Sequence, residues 1–442
     1  MKKNLMTLAA VLCCTTMMVL TSCSTDDNPV TEYYDYDEAF SYTYQGQKLY
    51  YIVNPEGEAV VVSPMYPEFD YNTFQTWTGY DKPQGDVIIP DYIPFNGSKC
   101  LVRKVGDYAF YNCDEITSVT LPSTLRSLGS ACFCRCLGLT DVTIPEGVTS
   151  IDISAFNYCQ SLKTVKLPST LKSLDMYTFY MCNSLSEINI PSSLEYIGEE
   201  AFCYCESLTE VTIPCGVKEL PGYTFFGCTN LTTVKLSEGL ETIDHSVFAQ
   251  CTNLKTINIP EGVTTINEWA FSECESLEEV TLPTTLTTIG LGAFVACSSL
   301  TSIVIPEGVT SIGQYAICFC EKLQEVKLPS TLTTISDGCF VYDESLTSIV
   351  IPENVSFVDS FAFYECTNLK EVTFPATLTA IGDSVFVNDK SIETITLHCA
   401  VPPTLGKGAF TQFDAKLIVP QGAADAYRKD ETWGLFATIE EE

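Results

Sequence analysis

From Phe110 onward the apolar side chains fall into one register that returns every 23 residues. Each unit reads Phe-x-x-Cys-x-x-Leu-x-x-Val-x-Leu/Ile-Pro-x-x-x-Leu/Val-x-x-Ile-Gly/Asp. The alternation around Val-x-Leu/Ile predicts a short strand with two side chains turned to one face, and proline stops it. The closing Gly, Asp or Asn, as at Gly129, Asp152 and Asn267, predicts a corner of positive φ. Cysteine keeps the same step from Cys113 through Cys320 and at Cys366, and only Asp343 and Asp389 interrupt it. Thirteen such units span residues 110–408. A single unit cannot bury its own apolar face, so the units must stack as coils of a solenoid, over about 60 Å at parallel-strand spacing. Two versions alternate: Leu121-Pro122-Ser123-Thr124-Leu125 is followed by Ile144-Pro145-Glu146-Gly147-Val148, and then by Leu167-Pro168-Ser169-Thr170-Leu171. Coils therefore read as amplified in pairs.

The core Ala201-Phe202, Cys205, Leu208, Val211, Ile213 and Pro214 resembles the 23-residue leucine-rich repeats of the BspA-like bacterial surface proteins. The resemblance covers about two-thirds of the chain. It implies a leucine-rich repeat solenoid, a curved right-handed superhelix with a parallel β-sheet on the concave face, and a surface role in adhesion to host proteins or other bacteria.

Solenoid ends need covering, because an open apolar coil aggregates. Residues 45–109 read as an N-terminal β cap and a degenerate first coil. A hairpin over 45–62 turns at Asn54-Pro55-Glu56-Gly57, and Val87-Ile88-Ile89-Pro90 opens the coil. Residues 409–442 read as a C-terminal cap in which Leu417-Ile418-Val419 is a last strand, Ala423 to Lys429 a helix, and Trp433 and Phe436 close the core. Residues 1–22 read as a secretory signal: Lys2 and Lys3, an apolar run from Leu5 to Leu20, and small residues before Cys23. Leu20-Thr21-Ser22-Cys23 resembles a bacterial lipobox, which implies acylation of Cys23 and a lipid anchor in the membrane. An acidic tether follows over residues 23–44. It is similar to those of surface-exposed lipoproteins, so the expected location is the outer membrane, facing outward. No spaced Asp/Asn/Gly loop of the calcium type occurs in it.

Composition narrows the function further. With 56 acidic against 23 basic residues, the formal charge of −33 excludes a nucleic-acid partner. Thirteen units without an insertion leave no long loop from which to build a water-excluding catalytic pocket, so no enzyme activity and no cofactor are expected. Asp244-His245-Ser246 holds the residue types of a hydrolase triad, but three adjacent residues cannot form the line of nucleophile, base and orienter. His398 reads as part of a terminal turn. Cys132/Cys134/Cys136, Cys203/Cys205 and Cys318/Cys320 have Cys-x-Cys spacing rather than the Cys-x-x-Cys of zinc sites, so no metal is expected. The ladder cysteines read as reduced, buried thiols filling a narrow corner. Occasional disulfides are left to Cys100, Cys203, Cys215, Cys318, Cys339 and Cys399.

Binding remains. The outward strand position runs through Thr120, Thr143, Lys166, Asn189, Thr212, Lys235, Asn258, Thr281, Val304, Lys327, Val350, Thr373 and Thr396. Of these, Thr143, Lys166, Asn189, Thr212, Lys235, Asn258 and Lys327 are the candidate binding residues. Acids such as Asp141, Glu187, Glu210, Glu279, Glu325 and Glu371 lie two residues earlier. A second set, Tyr158, Tyr180, Tyr204, Phe226, Trp269, Phe319, Tyr342 and Tyr364, could stack on sugars only where exposed. The expected function is a surface lipoprotein that binds a host or bacterial protein. The alternatives are a glycan-binding accessory of an outer-membrane uptake system and a structural spacer.

Overall fold

A computed structural model describes residues 38–65, 68–70 and 73–442. The expected signal segment, Cys23 and the tether up to residue 37 lie outside the described residues. Two compact units divide the chain, one ending at Leu231 and the other running Thr232–Glu442. Both are stacks of short parallel strands.

In the first unit the strands expected from the Val-x-Leu/Ile pattern form and pair in step. Asp141–Thr143 lies parallel to Thr164–Lys166, with Asp141 opposite Thr164 and Thr143 opposite Lys166. The middle valine of each is buried and the outer residue exposed. One ladder per coil was expected, and there are two. Ser127–Leu128, Ser150–Ile151 and Ser173–Leu174 form a second parallel ladder on the far side of the proline. Each turn between the two closes on the proline carbonyl, which accepts the N–H of Leu125 at 3.1 Å and its equivalents.

The N-terminal cap joins both ladders. Strands β1 (Phe40–Tyr44), β2 (Gln47–Val53) and β3 (Ala59–Val62) form an antiparallel meander. After the two-stranded ribbon of β4 (Glu68–Asp70) and β5 (Thr73–Gln75) come β6 (Gly85–Ile88), β7 (Tyr92–Phe95) and β8 (Ser98–Val105). β3 pairs with β8, and β8 pairs with Ser127–Leu128. β6 covers the other ladder by pairing with Ile116–Thr120. In the second unit Lys416–Val419 is not the last strand. The chain turns through helix α1 (Ala424–Lys429) and a 3-10 turn at Trp433–Leu435, then lays Thr438–Glu441 parallel beside it. Trp433 is fully buried; its indole Nε1 donates to the Pro403 carbonyl at 2.8 Å, and its ring lies 5.4 Å from that of Phe410.

Two columns run through the coils. The rings of Phe110, Phe133, Phe156, Phe179, Phe202 and Phe225 stack at centroid distances from 5.0 to 5.6 Å with interplanar angles below 20°. Offset stacking at this distance is attractive beyond the area it buries. The second unit repeats the arrangement at Phe248, Phe271 and Phe294, breaks it at Ile317, and resumes it from Phe340 to Phe410. The cysteine column is more than filler. Cys136 Sγ donates to the Phe110 carbonyl at 3.2 Å, and Cys159, Cys182 and Cys205 make the same bond across 26 residues. Each thiol thus ties its coil to the one before. Every described cysteine is free, and all but Cys215 are buried.

Asp343 and Asp389 take the thiol's place in this column. Asp343 is fully buried; its Oδ1 accepts the Cys320 N–H at 2.9 Å, while Oδ2 has no partner. Burial pushes its carboxyl well above the usual range.

The corner differs from expectation. Positive φ falls not at Gly129, Asp152 or Asp175 but two and six residues later, as at Ser154 (58°) and Tyr158 (59°). Small residues occupy the corner for two other reasons. A Cβ on Gly198 would sit 2.3 Å from the backbone nitrogen of Met176 in the preceding coil. Aspartates there accept the next N–H, as Asp175 does from Met176 and Asp359 from Ser360, both at 2.7 Å.

The alternation of coil types also has a physical cause. Glu146 accepts the N–H and hydroxyl of Ser169 in the following coil at 3.1 and 3.0 Å. Glu261 with Thr284 and Glu307 with Ser330 repeat the motif, and Asp91 with Ser123 supplies it at the cap.

Two outcomes follow for stability. Phe179→Ala removes a ring stacked on both sides and is expected to cost about 3–5 kcal/mol, read from the denaturant midpoint. A carboxyl whose pKa is raised on folding favours the folded state most below its unfolded pKa, and stability falls as pH rises above that value. Asp343→Cys restores the thiol and should flatten the decline seen in wild-type chain between pH 4 and 8 by chemical denaturation.

Candidate binding surface

The strand geometry dictates which side chains meet solvent. In each three-residue strand the central residue packs inward, so its two neighbours form two parallel rows on the outer face. In the first unit Thr143, Lys166 and Asn189 are consecutive in one row, with Thr143 opposite Lys166 and Lys166 opposite Asn189. Asp141, Thr164 and Glu187 form the second row. Thr212 holds the same outer position on Glu210–Thr212. In the second unit Lys235, Asn258 and Lys327 are exposed at theirs.

These residues do not all have the same freedom. The Asn189 carboxamide closes on the backbone of Leu167, accepting its N–H at 2.9 Å and donating to its carbonyl at 3.0 Å. Asn189 therefore extends the inter-strand hydrogen bonding past the end of its neighbour. Lys166, Lys235 and Lys327 are exposed and, among the described residues, make no ion pair. By contrast, Lys172 pairs with Glu195, and Lys370 with Glu393 at 3.5 Å.

Two valines stand out from the row. Val304 is 58% exposed and Val350 65%, at positions where other coils carry threonine, asparagine or lysine. Val304 lies directly opposite Lys327 on Glu325–Lys327, and the strand Ser348–Val350 runs beside that one. The face thus presents an ammonium between two apolar groups. The sequence carried the signal, since valine is the only aliphatic residue at this outward position.

The aromatic set does not form an open platform. Tyr158, Tyr180, Tyr204 and Phe226 meet edge to face at 5.4 to 6.3 Å, with Tyr180 and Phe226 buried. The Trp269 ring covers Gly292, whose Cβ would fall 2.4 Å from it, so glycine at φ +59° is needed there. Phe319, Tyr342 and Tyr364 pack on one another in the same way.

The remaining chemical candidates serve the turns. His245 Nδ1 lies 3.2 Å from Asp244 Oδ1, and Ser246 is buried with φ 53°. Burial alone would raise the Asp244 carboxyl, but hydrogen bonds from the His245 N–H and the Asn267 amide hold it below its ordinary value. His398 Nδ1 contacts Glu442 at 3.1 Å. Burial pushes the thiols up, Cys113 to about 12, which suppresses the nucleophilic thiolate. Among the described residues no group of three or more His, Cys, Asp or Glu is arranged to hold a metal ion, and no helix is long and apolar enough to cross a membrane.

A family model described as the BspA type leucine rich repeat region (6 copies) matches residues 103–232, 218–346 and 287–416. Among solved structures, a leucine-rich repeat protein from Bacteroides ovatus is 24% identical, covers 91% of this chain and 99% of its own, and superposes with a TM-score of 0.64. A leucine rich cell surface protein from Faecalibacterium prausnitzii is 27% identical over 84% of this chain and 96% of its own, with a TM-score of 0.49. No curated protein matches.

Asn189→Ala strips two partners from the Leu167 backbone and is expected to cost about 1–2 kcal/mol, whereas Lys166→Ala should change stability by less than about 0.5 kcal/mol. Urea melts of the two variants beside wild type check the difference.

Proposed function

This chain belongs to the BspA-type leucine-rich repeat family, and from that premise we propose that it is a non-enzymatic surface protein whose sheet face binds another protein. The family is a repeat family of surface proteins suited to protein interaction. The observation that carries the reading is the triplet Val304, Lys327 and Val350. Exposed apolar groups on an otherwise polar sheet face are unusual in a solvated surface and suit the centre of an interface. Lys327, unpaired between them, selects a partner that presents a carboxylate flanked by apolar side chains. Thr143, Lys166, Thr212, Lys235 and Asn258 supply polar rim positions on the same strand register.

Cys23 is the proposed point of lipid attachment to the outer membrane, with residues 24–37 as the spacer that holds the coils away from it. The partner class is a host or bacterial surface protein. A glycan partner finds less support, because the aromatic side chains that would stack on sugar rings pack against one another instead.

Retention of the full mature chain on panels of immobilised host and bacterial surface proteins is expected to fall at least tenfold for Val304→Asp combined with Val350→Asp. The variant should keep wild-type circular dichroism. Unchanged retention would move the interface off this face. External protease on intact cells is expected to remove the coils; full protection would exclude adhesion.

A further inference from the structure

The phenylalanine and thiol columns of the second unit end at a cavity. Phe386, Phe410 and Phe436 with Ile395 wall a space of about 60 Å³, and Lys390 and Asp414, both exposed, stand at its rim. The Phe386 and Phe410 rings stack at 4.9 Å, and Phe436 meets Phe410 edge to face at 5.4 Å. Into this apolar chamber is set the carboxyl of Asp389, 5% exposed, with neither oxygen in a hydrogen bond. The Cys366 N–H lies close enough to favour ionisation but short of bonding geometry. Asp343, the other carboxyl in the thiol column, has its Cys320 N–H partner and lines no such cavity.

A buried carboxyl without a partner costs stability that cysteine, the residue of the other coils, avoids. The position therefore asks for a ligand that satisfies it. An anion is excluded by Asp389 and Asp414, and an apolar molecule would leave Asp389 unsatisfied. Water takes about 30 Å³ in the liquid, so the volume admits an ammonium head with a methylene behind it, and the ring faces attract a cation.

We propose that this cavity binds a primary alkylammonium group, with Asp389 as its counter-ion and Phe386, Phe410 and Phe436 as its walls. The same chemistry is borne by free amines and by lysine side chains. The reading stands apart from the sheet face, so either can fail without the other. Binding is a proton exchange: R–NH3⁺ enters, the carboxyl proton of Asp389 leaves to solvent, and the carboxylate pairs with the ammonium. Burial and the nearby Glu365 carboxylate favour the protonated acid in the empty site, while Lys390 at the rim opposes them.

Calorimetric titration of the full mature chain with n-propylammonium chloride tests this, run in two buffers of different ionisation enthalpy. Saturable binding with release of a proton is expected, unchanged in Asp343→Cys and weakened at least tenfold in both Asp389→Cys and Asp389→Asn. Two substitutions guard against one that misfolds. Nα-acetyl-lysine amide, run in parallel, separates the sources: binding equal to that of propylammonium assigns the cavity to a lysine side chain, and binding of propylammonium alone assigns it to free amines. Heat no larger than that from sodium chloride, or binding indifferent to both Asp389 variants, would overturn the proposal by leaving the cavity to water. Binding that appears only in Lys390→Ala would overturn it too, because Lys390 would then be the occupant.

Discussion

The contacts that hold one coil of this chain are made with the coil before it and the coil after it. A strand such as Thr164–Lys166 spends its backbone hydrogen bonds on its neighbours 23 residues away, Phe179 lies between two other rings, and the thiol of Cys182 reaches back to Phe156. None of these is local to a turn. Propensity matters little for strands of three residues or two, because it is the stacking of equivalent positions that fixes them. That constraint keeps the units at 23 residues. One residue more would move a phenylalanine out of its column and turn every following strand over.

The caps answer the same constraint at its edges. A coil with no predecessor would leave both ladders unpaired, and the N-terminal cap covers them separately, with β8 on one and β6 on the other. At the other end the helix and Trp433 close the interior while Thr438–Glu441 continues the outer ladder. The aspartates in the thiol column are local departures. They keep the size of the corner residue and give up its neutrality, which is why Asp343 and Asp389 carry raised pKa values for the same reason, burial.

Most of the fold is legible in the sequence because the period repeats the same physical message thirteen times. The strand at Val-x-Leu/Ile, the hairpin at Asn54-Pro55-Glu56-Gly57 and the closing roles of Trp433 and Phe436 all read directly from patterning. The second ladder does not, because two residues such as Ser150–Ile151 are too short to show alternation. Thr438–Glu441 is hidden by its acids, with Ile439 its only large apolar residue. The corner misled because Gly and Asp serve close packing and local capping as well as left-handed backbone. For the binding face, period identifies the outward row but not which members are free. Asn189 bonds to a backbone two strand positions removed from any motif, and Val304 and Val350 gain meaning only once Lys327 is seen between them.

The thiols have one more consequence. Each ladder sulfur is buried and hydrogen-bonded to the previous coil, so a small alkylating reagent reaches it only when that coil parts from its neighbour. With one such group in nearly every coil, the chain carries a chemical gauge of its own breathing along its length. The order in which the cysteines are modified would map which coils separate first, with the exposed Cys215 setting the rate for an unprotected thiol.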